Sequence, residues 1–317
     1  MIPRNVIIDC DTGVDDALAL LLALRSPAFN VLGITCVAGN VSLHKVVRNT
    51  LTVVEHSGKR VPVYVGAATS LVGWGKTAEH VHGDDGLGNL GLPHPTGHAE
   101  TESAVAFLIR TFMDAKEPVE LVTLAPLTNI ALALVQEPRL ARRIPSLVIM
   151  GGDITGGNVT AAAEFNIYID PEAADVVMRS GIPTTLVPYD VIKAYGTISA
   201  DEIAAIENAS MPCCQLGGRL MRFLLERDTD HLGVSDKIGP ADPAAMAVAI
   251  EPGIATVGTY HVAIETRGEH TRGATVVDRR SWIRPGSGAQ APNASVVTAM
   301  DTSAYRALVR DTYLRAE

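Results

Sequence analysis

The sequence predicts one α/β domain built on an open, mostly parallel mixed sheet with helices on both faces. Short apolar runs typical of buried strands alternate with helical patterns along most of the chain. No repeat, low-complexity tract or linker interrupts the 317 residues, of which 47% are hydrophobic and can fill a core of this size. We therefore expect a single domain over residues 1–317.

The amino-terminal half shows the most regular alternation. An apolar strand at 6–8 runs into a turn at Gly13, and a helical pattern follows through 17–24. Further along, we predict strands at 31–37, 61–65, 119–124 and 146–150, and helices at 41–56, 102–113 and 126–137. Residues 66–97 are rich in Gly, His and Pro. Because long irregular segments in compact domains are often functional lids, we expect a lid loop there.

The carboxyl-terminal half is less regular. Residues 164–166 have the pattern of a short extended piece, and Asp170 should cap a helix at 171–180. A second irregular lid loop is expected at 226–240. The remaining predicted elements are strands at 184–187, 260–265, 274–277 and 295–299, helices at 211–225 and 244–250, and a closing helix from Asp301.

Four aspartates follow the first strand within eight residues: Asp9, Asp11, Asp15 and Asp16. Packed at one strand end, these carboxylates would repel and raise one another's pKa unless a cation or protons compensate. One or two of them could cap the following helix or stabilise its first turn, but all four cannot. The cluster therefore predicts a site for a hard divalent cation.

Three further candidate site residues follow neighbouring strands. Asn40, Leu124 and Met150 lie at predicted strand ends, as Asp11 does. Ligand sites in open parallel sheets gather at the carboxyl ends of the strands. One site could therefore collect all four residues.

Composition restricts the partner and the compartment. The formal net charge is −9 and no cluster of Lys and Arg stands out, which argues against a nucleic-acid polymer and favours a small, neutral or weakly charged substrate. The chain enters its first strand too early for a signal peptide, and its longest apolar helical run is too short to span a bilayer. We expect a cytoplasmic protein without a membrane partner. Its four cysteines have neither a disulfide framework nor paired metal-ligand spacing, so we expect buried thiols.

With these elements located, the sequence resembles the nucleoside hydrolase family, the inosine-uridine preferring nucleoside N-ribohydrolases. The similarity covers nearly the whole chain, through the motifs DCDTGVDDALAL, VAGN, HVHGDDGLG, LAPLTNIA, MGG, GNVTAAAEFNIYIDPEAA and TRGATVVDRR. It implies the Rossmann-like fold of that family and hydrolysis of the N-glycosidic bond of ribonucleosides to ribose and free base, in nucleoside salvage. It also implies a homodimer or homotetramer.

The resemblance implies one Ca²⁺ per chain. Its implied ligands are the side chains of Asp11, Asp15, Asp16 and Asp242 and the backbone carbonyl of Leu124. Carboxylate and carbonyl oxygens are the ligands that this ion takes. From the residues alone, Asp242 before Pro243 is instead typical of a helix N-cap.

The same resemblance implies a ribose pocket and a mechanism. The residues that would bind the sugar are Asn40, Met150, Asn158, Glu164, Phe165 and Asn166. Amide and carboxylate groups suit sugar hydroxyls, although each of these residues alone would pass as ordinary turn chemistry. Asp11 would be the general base that accepts a proton from the attacking water.

One position departs from the family. The best-known members carry a histidine, the proposed acid for the leaving base, where this chain has Ala241. General acid catalysis is typically worth about 10²- to 10⁴-fold, so a replacement matters. Three remain open: His82, which could donate, stack or only pack; His231 in the second lid loop, which could swing in; and aromatic stacking, with Trp74 as a candidate.

Two other functions compete with the hydrolase hypothesis. Asp9 and Asp11 have the spacing of a haloacid-dehalogenase-type phosphatase, but Gly13 departs from that family's motif and Asp242 would have no role. A riboside-binding relative that cleaves nothing is suggested by Ala241 alone. Within the hydrolase hypothesis, the choice between purine and pyrimidine bases stays open.

Overall fold

The computed structural model of the protein describes residues 2–73, 75–232, 236–281 and 288–315, and the side chains of residues 231 and 232 lie outside that description. The strands in this part are β1 (Arg4–Cys10), β2 (Phe29–Cys36), β3 (Val63–Val65), β4 (Glu100–Ser103), β5 (Val119–Thr123), β6 (Leu147–Met150), β7 (Thr184–Val187), β8 (Ile198–Ser199), β9 (Lys237–Ile238), β10 (Ala255–Tyr260), β11 (Val262–Ile264), β12 (Thr275–Val277) and β13 (Ala294–Met300).

The helices complete the alternation. They are α1 (Val14–Arg25), α2 (Leu43–His56), α3 (Glu79–His82), α4 (Ala104–Asp114), α5 (Thr128–Gln136), α6 (Phe165–Ile169), α7 (Pro171–Met178), α8 (Tyr189–Tyr195), α9 (Ala200–Glu207), α10 (Pro212–Leu232), α11 (Ala241–Ile250) and α12 (Thr302–Tyr313). Two short 3₁₀ turns lie at Pro138–Arg142 and Pro252–Ile254.

Nine strands form the main sheet, in the order β10-β13-β7-β6-β5-β1-β2-β3-β4. Neighbouring strands pair in parallel except β10 and β13, which are antiparallel, so the predicted mixed sheet is confirmed. Two small antiparallel pairs, β8 with β9 and β11 with β12, lie outside it. β1 runs between β5 and β2, which brings the aspartate-rich turn to the middle of the sheet edge.

Apolar side chains of β1 point alternately into two cores, as the period of a strand requires. Val6 and Ile8 join the core beneath α1, α2, α10, α11 and α12, whereas Ile7 joins the core beneath α4, α5 and α7. Helices therefore cover both faces, as predicted. Helix α1 contacts α2, α10, α11 and α12, which explains why its sequence is apolar on nearly every side.

Three predicted boundaries are wrong. Residues 102–103 belong to β4, because the side chain of Ser103 accepts a hydrogen bond from the Ala106 amide and starts α4 at Ala104. Residues 165–166 are not extended but open α6, with Glu164 as the N-cap. Residues 226–232 are not an irregular loop: they continue α10, since they contain no Gly or Pro to end the helix.

Helices α8 and α9 were not predicted. The sequence did carry a signal for α9, because Ser199 and Glu202 form a capping box in which each side chain bonds the other residue's backbone amide. The predicted cap at Asp170 is confirmed by its bond from the Ala173 amide, and all four cysteines are free and buried, as expected. Among the described residues, none of the helices is both long and apolar enough to cross a membrane.

Candidate active site

A cavity of about 270 Å³ opens at the carboxyl ends of the central strands. Small-molecule sites are typically concave pockets of about this size or larger. We call its sheet-edge residues the floor; they are Asp15, Asn40, Leu124, Met150, Glu164, Asn166 and Asp242. We call the lining residues from α3, α8 and α10 the roof; they are His80, Val81, His82, Tyr189, Leu224, Arg227 and Asp228.

Two floor carboxylates, Asp15 and Asp242, form an acidic cluster with Asp16. Asp15, Asp16 and Asp242 each offer an oxygen, and these oxygens lie within 4.8 Å of one another. Asp15 and Asp16 come from the first turn of α1, and Asp242 comes from the first turn of α11. Asp242 is not the N-cap of α11, because Pro240 holds that position. Its side chain is therefore available to the cluster, which favours the ligand role over the cap.

Asp11 is fully buried beside this cluster but is not one of its three members. Its Oδ2 accepts a hydrogen bond of 2.7 Å from the Asn40 amide, whereas its Oδ1 has no hydrogen-bond partner. The Oδ1 of Asp15 is buried without a partner as well. Because buried polar atoms are almost always paired in proteins, two orphaned carboxylate oxygens beside a cluster indicate a missing ligand.

Backbone amides and Asn40 hold Asp16 in place. Its Oδ1 accepts from the Asp11 amide at 3.2 Å, and its Oδ2 accepts from the Gly13 amide at 3.0 Å and from Asn40 Nδ2 at 2.9 Å. Gly13 was expected for its turn, but its φ is an ordinary −93°. The reason for glycine is space: a Cβ there would lie 2.7 Å from His82 Nδ1 and 2.9 Å from Asn40 Nδ2.

The carboxylates raise one another's proton affinity. Burial raises the pKa of Asp11 well above its usual range, and the charge of Asp16 raises it further. Burial and the neighbouring charge of Asp15 raise the pKa of Asp16 to about 7. The same two causes raise the pKa of Asp242. Without a cation, the cluster would hold protons near neutral pH.

Asp9 has a different role from its neighbours. Its Oδ1 accepts hydrogen bonds from the Thr35 hydroxyl and from Asn129 Nδ2 at 2.8 Å, and Asn129 in turn bonds the carbonyl of Cys36. Burial raises its pKa to about 7. Asp9 therefore links β1 to β2 and α5. Of the four aspartates in the sequence cluster, this one is structural.

The structure brings the predicted sugar-binding residues to the same cavity, where all six are lining residues: Asn40, Met150, Asn158, Glu164, Phe165 and Asn166. Asn166 Nδ2 donates to the carbonyl of Leu124 at 2.9 Å and to the carbonyl of Met150 at 3.2 Å. Its amide nitrogen is thus directed at the protein. The predicted metal-ligating carbonyl of Leu124 lines the cavity and already accepts this bond, which leaves it one further lone pair.

Glu164 serves the local fold as well as the cavity. Its oxygens accept from the amides of Asn166, Gly152 and Ile167 at 2.9–3.2 Å, and burial still raises its pKa to about 7. Asn158 Oδ1 likewise accepts from the Phe165 amide at 2.9 Å. These bonds fix the side chains that border the pocket.

His82 lies in the roof, against the start of α1. Its Nδ1 accepts a hydrogen bond of 3.1 Å from the Val14 amide and is 3.7 Å from Asp15 Oδ1. Burial lowers its pKa, so the ring is neutral and carries its proton on Nε2. His231 lies in the last turn of α10, and its side chain is outside the described part of the chain, as Trp74 is.

Among the polar and aromatic residues that line the cavity, sequence reasoning missed four: His80, Tyr189, Arg227 and Asp228. Tyr189 begins α8, which was not predicted, and the other three lie within the two segments expected to be lid loops. His80 opens the motif HVHGDDGLG, but no spacing or quoted motif marks Tyr189, Arg227 or Asp228. Ala241 lines the cavity next to Asp242 and places only a methyl group where the family's best-known members have an imidazole.

Comparison with known proteins agrees with this geometry. The sequence model of the family described as inosine-uridine preferring nucleoside hydrolase matches residues 6–307. The pyrimidine-specific ribonucleoside hydrolase RihA of Photobacterium profundum is 40% identical over 277 residues, covering 87% of this chain and 89% of that protein. The RihA of Citrobacter koseri is 38% identical over 95% of both chains.

Solved structures give the same result. The plant nucleoside hydrolase PpNRh1 superposes with a TM-score of 0.92 at 30% identity, over 99% of this chain and all of that one. The purine-preferring ribonucleoside hydrolase from Gardnerella vaginalis has a TM-score of 0.87 at 31% identity, over 99% of this chain and all of that one. These matches give the phosphatase alternative no support. The chain belongs to the inosine-uridine preferring nucleoside hydrolase family.

Proposed function

We propose that this chain hydrolyses the N-glycosidic bond of ribonucleosides in a calcium-dependent reaction and prefers pyrimidine nucleosides. The observation that carries the proposal is the pair of orphaned buried oxygens, Asp11 Oδ1 and Asp15 Oδ1, beside the acidic cluster. The preference for pyrimidines rests on the names of the RihA relatives, which are pyrimidine-specific.

The residues present fit calcium. The donors would be the carboxylates of Asp11, Asp15, Asp16 and Asp242 and the carbonyl of Leu124, an all-oxygen set that suits a hard cation. The raised pKa values of Asp11, Asp16 and Asp242 reflect repulsion and burial that a divalent cation would offset. When bound, calcium supplies positive charge that orients ribose hydroxyls and makes a water molecule easier to deprotonate.

Asp11 would act as the general base. Its Oδ2 is held by the Asn40 amide, so the unpartnered Oδ1 is the atom that accepts the proton of the attacking water. Burial makes this carboxylate more basic than an exposed aspartate. Gly39 permits the approach, because a Cβ at that position would overlap Asp11 Oδ2.

The floor would hold the ribose. The Nδ2 groups of Asn40 and Asn166 donate to protein acceptors, so their Oδ1 atoms would be free to accept from sugar hydroxyls. Glu164 and Asn158 border the same pocket, and Met150 and Phe165 supply apolar contact. The nearby carboxylates would stabilise the positive charge that develops on the sugar as the bond to the base breaks.

His82 would touch the leaving base as a neutral hydrogen-bond donor. Its Nδ1 is occupied by the Val14 amide, so only Nε2–H is available to a ligand. A neutral imidazole of lowered pKa is a poor source of a proton for the leaving group. His231 is a second candidate acid, and this assignment rests only on its position in α10.

Ribose release tests this proposal. Calcium-loaded protein is assayed with uridine, inosine and p-nitrophenyl riboside, whose phenolate leaves without an acid, and Asp11→Ala is the inactive control. We expect release from all three, with uridine ahead of inosine. Cleavage of the phenyl riboside alone would show an intact hydrolase with a different natural leaving group. Nucleoside binding by calorimetry with no ribose released from any substrate would favour the binding-protein alternative.

Two further expectations belong to the proposal. By resemblance to the family, the chain would act in the cytoplasm in nucleoside salvage, as a homodimer or homotetramer. Light scattering of the purified protein measures the oligomeric state directly.

A further inference from the structure

Arg227 is the single lysine or arginine among the described residues that line the cavity. It projects from α10 into the roof, and its side chain is 25% exposed. The floor, by contrast, presents the carboxylates of Asp15, Glu164 and Asp242. The roof therefore holds the one permanent cation of the described lining, in an ion pair of 2.6 Å with the carboxylate of Asp228, whereas the floor holds carboxylates without such a partner cation in the lining.

The guanidinium is held in a fixed orientation. Its Nε and Nη2 donate to Asp228 Oδ1 at 3.0 and 2.6 Å, and its Nη1 donates to the Val81 carbonyl at 3.2 Å. These bonds use three of the five N–H groups of an arginine. Within the described part of the chain, the other two have no recorded acceptor. Arg227 is thus a preorganised donor at the cavity, with two N–H groups available to a ligand.

The two remaining N–H groups of Arg227 match what the leaving group needs. When the bond from C1′ to the base nitrogen breaks, its electron pair stays on the base, and the attacking water forms the new bond to C1′ after giving its proton to Asp11. The resulting base anion must be protonated or stabilised. An arginine does not release its proton, but it stabilises an oxyanion well.

We propose that Arg227 binds a carbonyl oxygen of the departing base and stabilises the base as an anion, in place of the acid that is absent at Ala241. The inference rests on the proposed function and narrows its substrate class. Uracil-type bases spread the charge over two carbonyl oxygens, whereas cytosine has one. The preferred substrates are therefore dioxo-pyrimidine nucleosides, whose anion takes its proton from solvent after release. Asp228 is a positioning residue for the guanidinium.

The chain offers a matched control for this test. Arg222 lies on the same helix and makes the same kind of pair, with Nε and Nη2 donating to Glu207 Oε2 at 3.2 and 3.1 Å, but it does not line the cavity. Arg227→Ala and Arg222→Ala are compared with the wild-type enzyme on uridine, cytidine and p-nitrophenyl riboside, with calcium present. Arg227→Gln, which keeps a donor for the Val81 carbonyl, is the second variant.

We expect Arg227→Ala to lower kcat for uridine by about 10²- to 10³-fold, the usual cost of one oxyanion donor. The loss should be smaller for cytidine and smallest for p-nitrophenyl riboside, and Arg222→Ala should match the wild type. Added guanidinium ion should restore part of the uridine activity of Arg227→Ala. Arg227→Gln should lose nearly as much as Arg227→Ala, because it lacks the charge.

Two results would overturn the inference. Equal losses on uridine and p-nitrophenyl riboside would mean that Arg227 only holds α3 against α10, and undiminished uridine turnover would mean that it does not touch the base. Failure of the proposed function looks different, since the wild-type enzyme itself would then release no ribose from any of the three substrates.

Discussion

The floor and the roof of the cavity are built in different ways. Beside the floor, backbone amides hold the carboxylates of the first motif: those of Asp11 and Gly13 hold Asp16 from within five residues, and that of Asn40, in the segment after β2, holds Asp11. In the roof, contacts join distant segments, as when Arg227 bonds the carbonyl of Val81. The aspartates of the first motif therefore depend mostly on local geometry, whereas the orientation of Arg227 depends on packing between distant segments.

The largest effect should follow from removing a floor carboxylate. Asp242→Asn takes one charge from the acidic cluster, and we expect weaker calcium binding and a loss of activity of about 10³-fold or more, since metal catalysis contributes several kcal/mol. The melting temperature of the metal-free protein should rise, because the repulsion and burial that raise the pKa of Asp242 disappear.

Calorimetry, thermal unfolding with and without chelator, and ribose release check these outcomes. Asp175→Asn is the matched control, because Asp175 lies on the surface in an ion pair with Arg179 and should affect neither activity nor calcium binding. Full activity of Asp242→Asn at low calcium would remove Asp242 from the metal site.

Gly13 is where floor and roof meet, so a methyl group there tests both at once. Gly13→Ala would press on His82 Nδ1 and Asn40 Nδ2, at 2.7 and 2.9 Å. We expect a loss of about 1–3 kcal/mol in the free energy of unfolding, typical of overpacking, and a lower kcat for all substrates. Gly75→Ala, with no atom within 4 Å of its Cβ, is the control for denaturant unfolding and activity. Equal stability of the two variants would contradict the close approach.

The acidic cluster should also make the stability of the metal-free protein depend on pH. The pKa of Asp16 is about 7 in the folded state and that of an unfolded aspartate is about 3.9, so the folded state binds more protons between these values. The free energy of unfolding of the metal-free protein should therefore fall as pH rises through that window. The fall is up to about 1.4 kcal/mol per pH unit for each carboxylate whose pKa is raised in this way.

Urea unfolding at about pH 5 and about pH 8, with chelator and with calcium, measures this slope. Calcium should reduce the decline, because it offsets the charges of the acidic cluster, while Asp9 and Glu164, whose pKa values burial also raises to about 7, keep their contribution. The ion-paired Glu137 and Asp278 do not obscure the result, since their pKa values are lowered to about 2 and they titrate below this window. A metal-free protein that is more stable at the higher pH would contradict the repulsive cluster.

Sequence reasoning reached the aspartates of the first motif because their signals are short-range, whereas Glu164, Asn166 and Asp242 were predicted only by resemblance to the family. A strand, a turn and the first turn of a helix place Asp11, Asp15 and Asp16 within one motif, and the parallel sheet brings Asn40 beside them. It could not separate Asp9 from the other aspartates, since that distinction depends on Asn129, 120 residues away.

Apart from His82, the roof was not predicted, because its contacts join segments that are distant in the sequence. Residues 226–232 look like a loop by composition, yet they are helical, and this places Arg227 and Asp228 on a helix that lines the cavity. Nothing in the sequence near Arg227 indicates that it meets Val81, 146 residues away. The family motifs identified the class of reaction and His82, but Arg227 and Asp228 emerged as cavity residues only from the fold.

The smallest effect should come from His82, and an isosteric pair of variants decides its role. If His82 is a neutral donor, His82→Ala should lower kcat/KM for nucleosides by about tenfold, the value of one hydrogen bond. His82→Gln should retain most of the activity, because its Oε1 can accept from the Val14 amide and its Nε2 can donate to the base. A general acid would behave otherwise: a glutamine amide cannot release a proton at neutral pH, so both variants would lose activity equally. Steady-state kinetics on uridine therefore distinguish a roof that holds the base from a roof that protonates it.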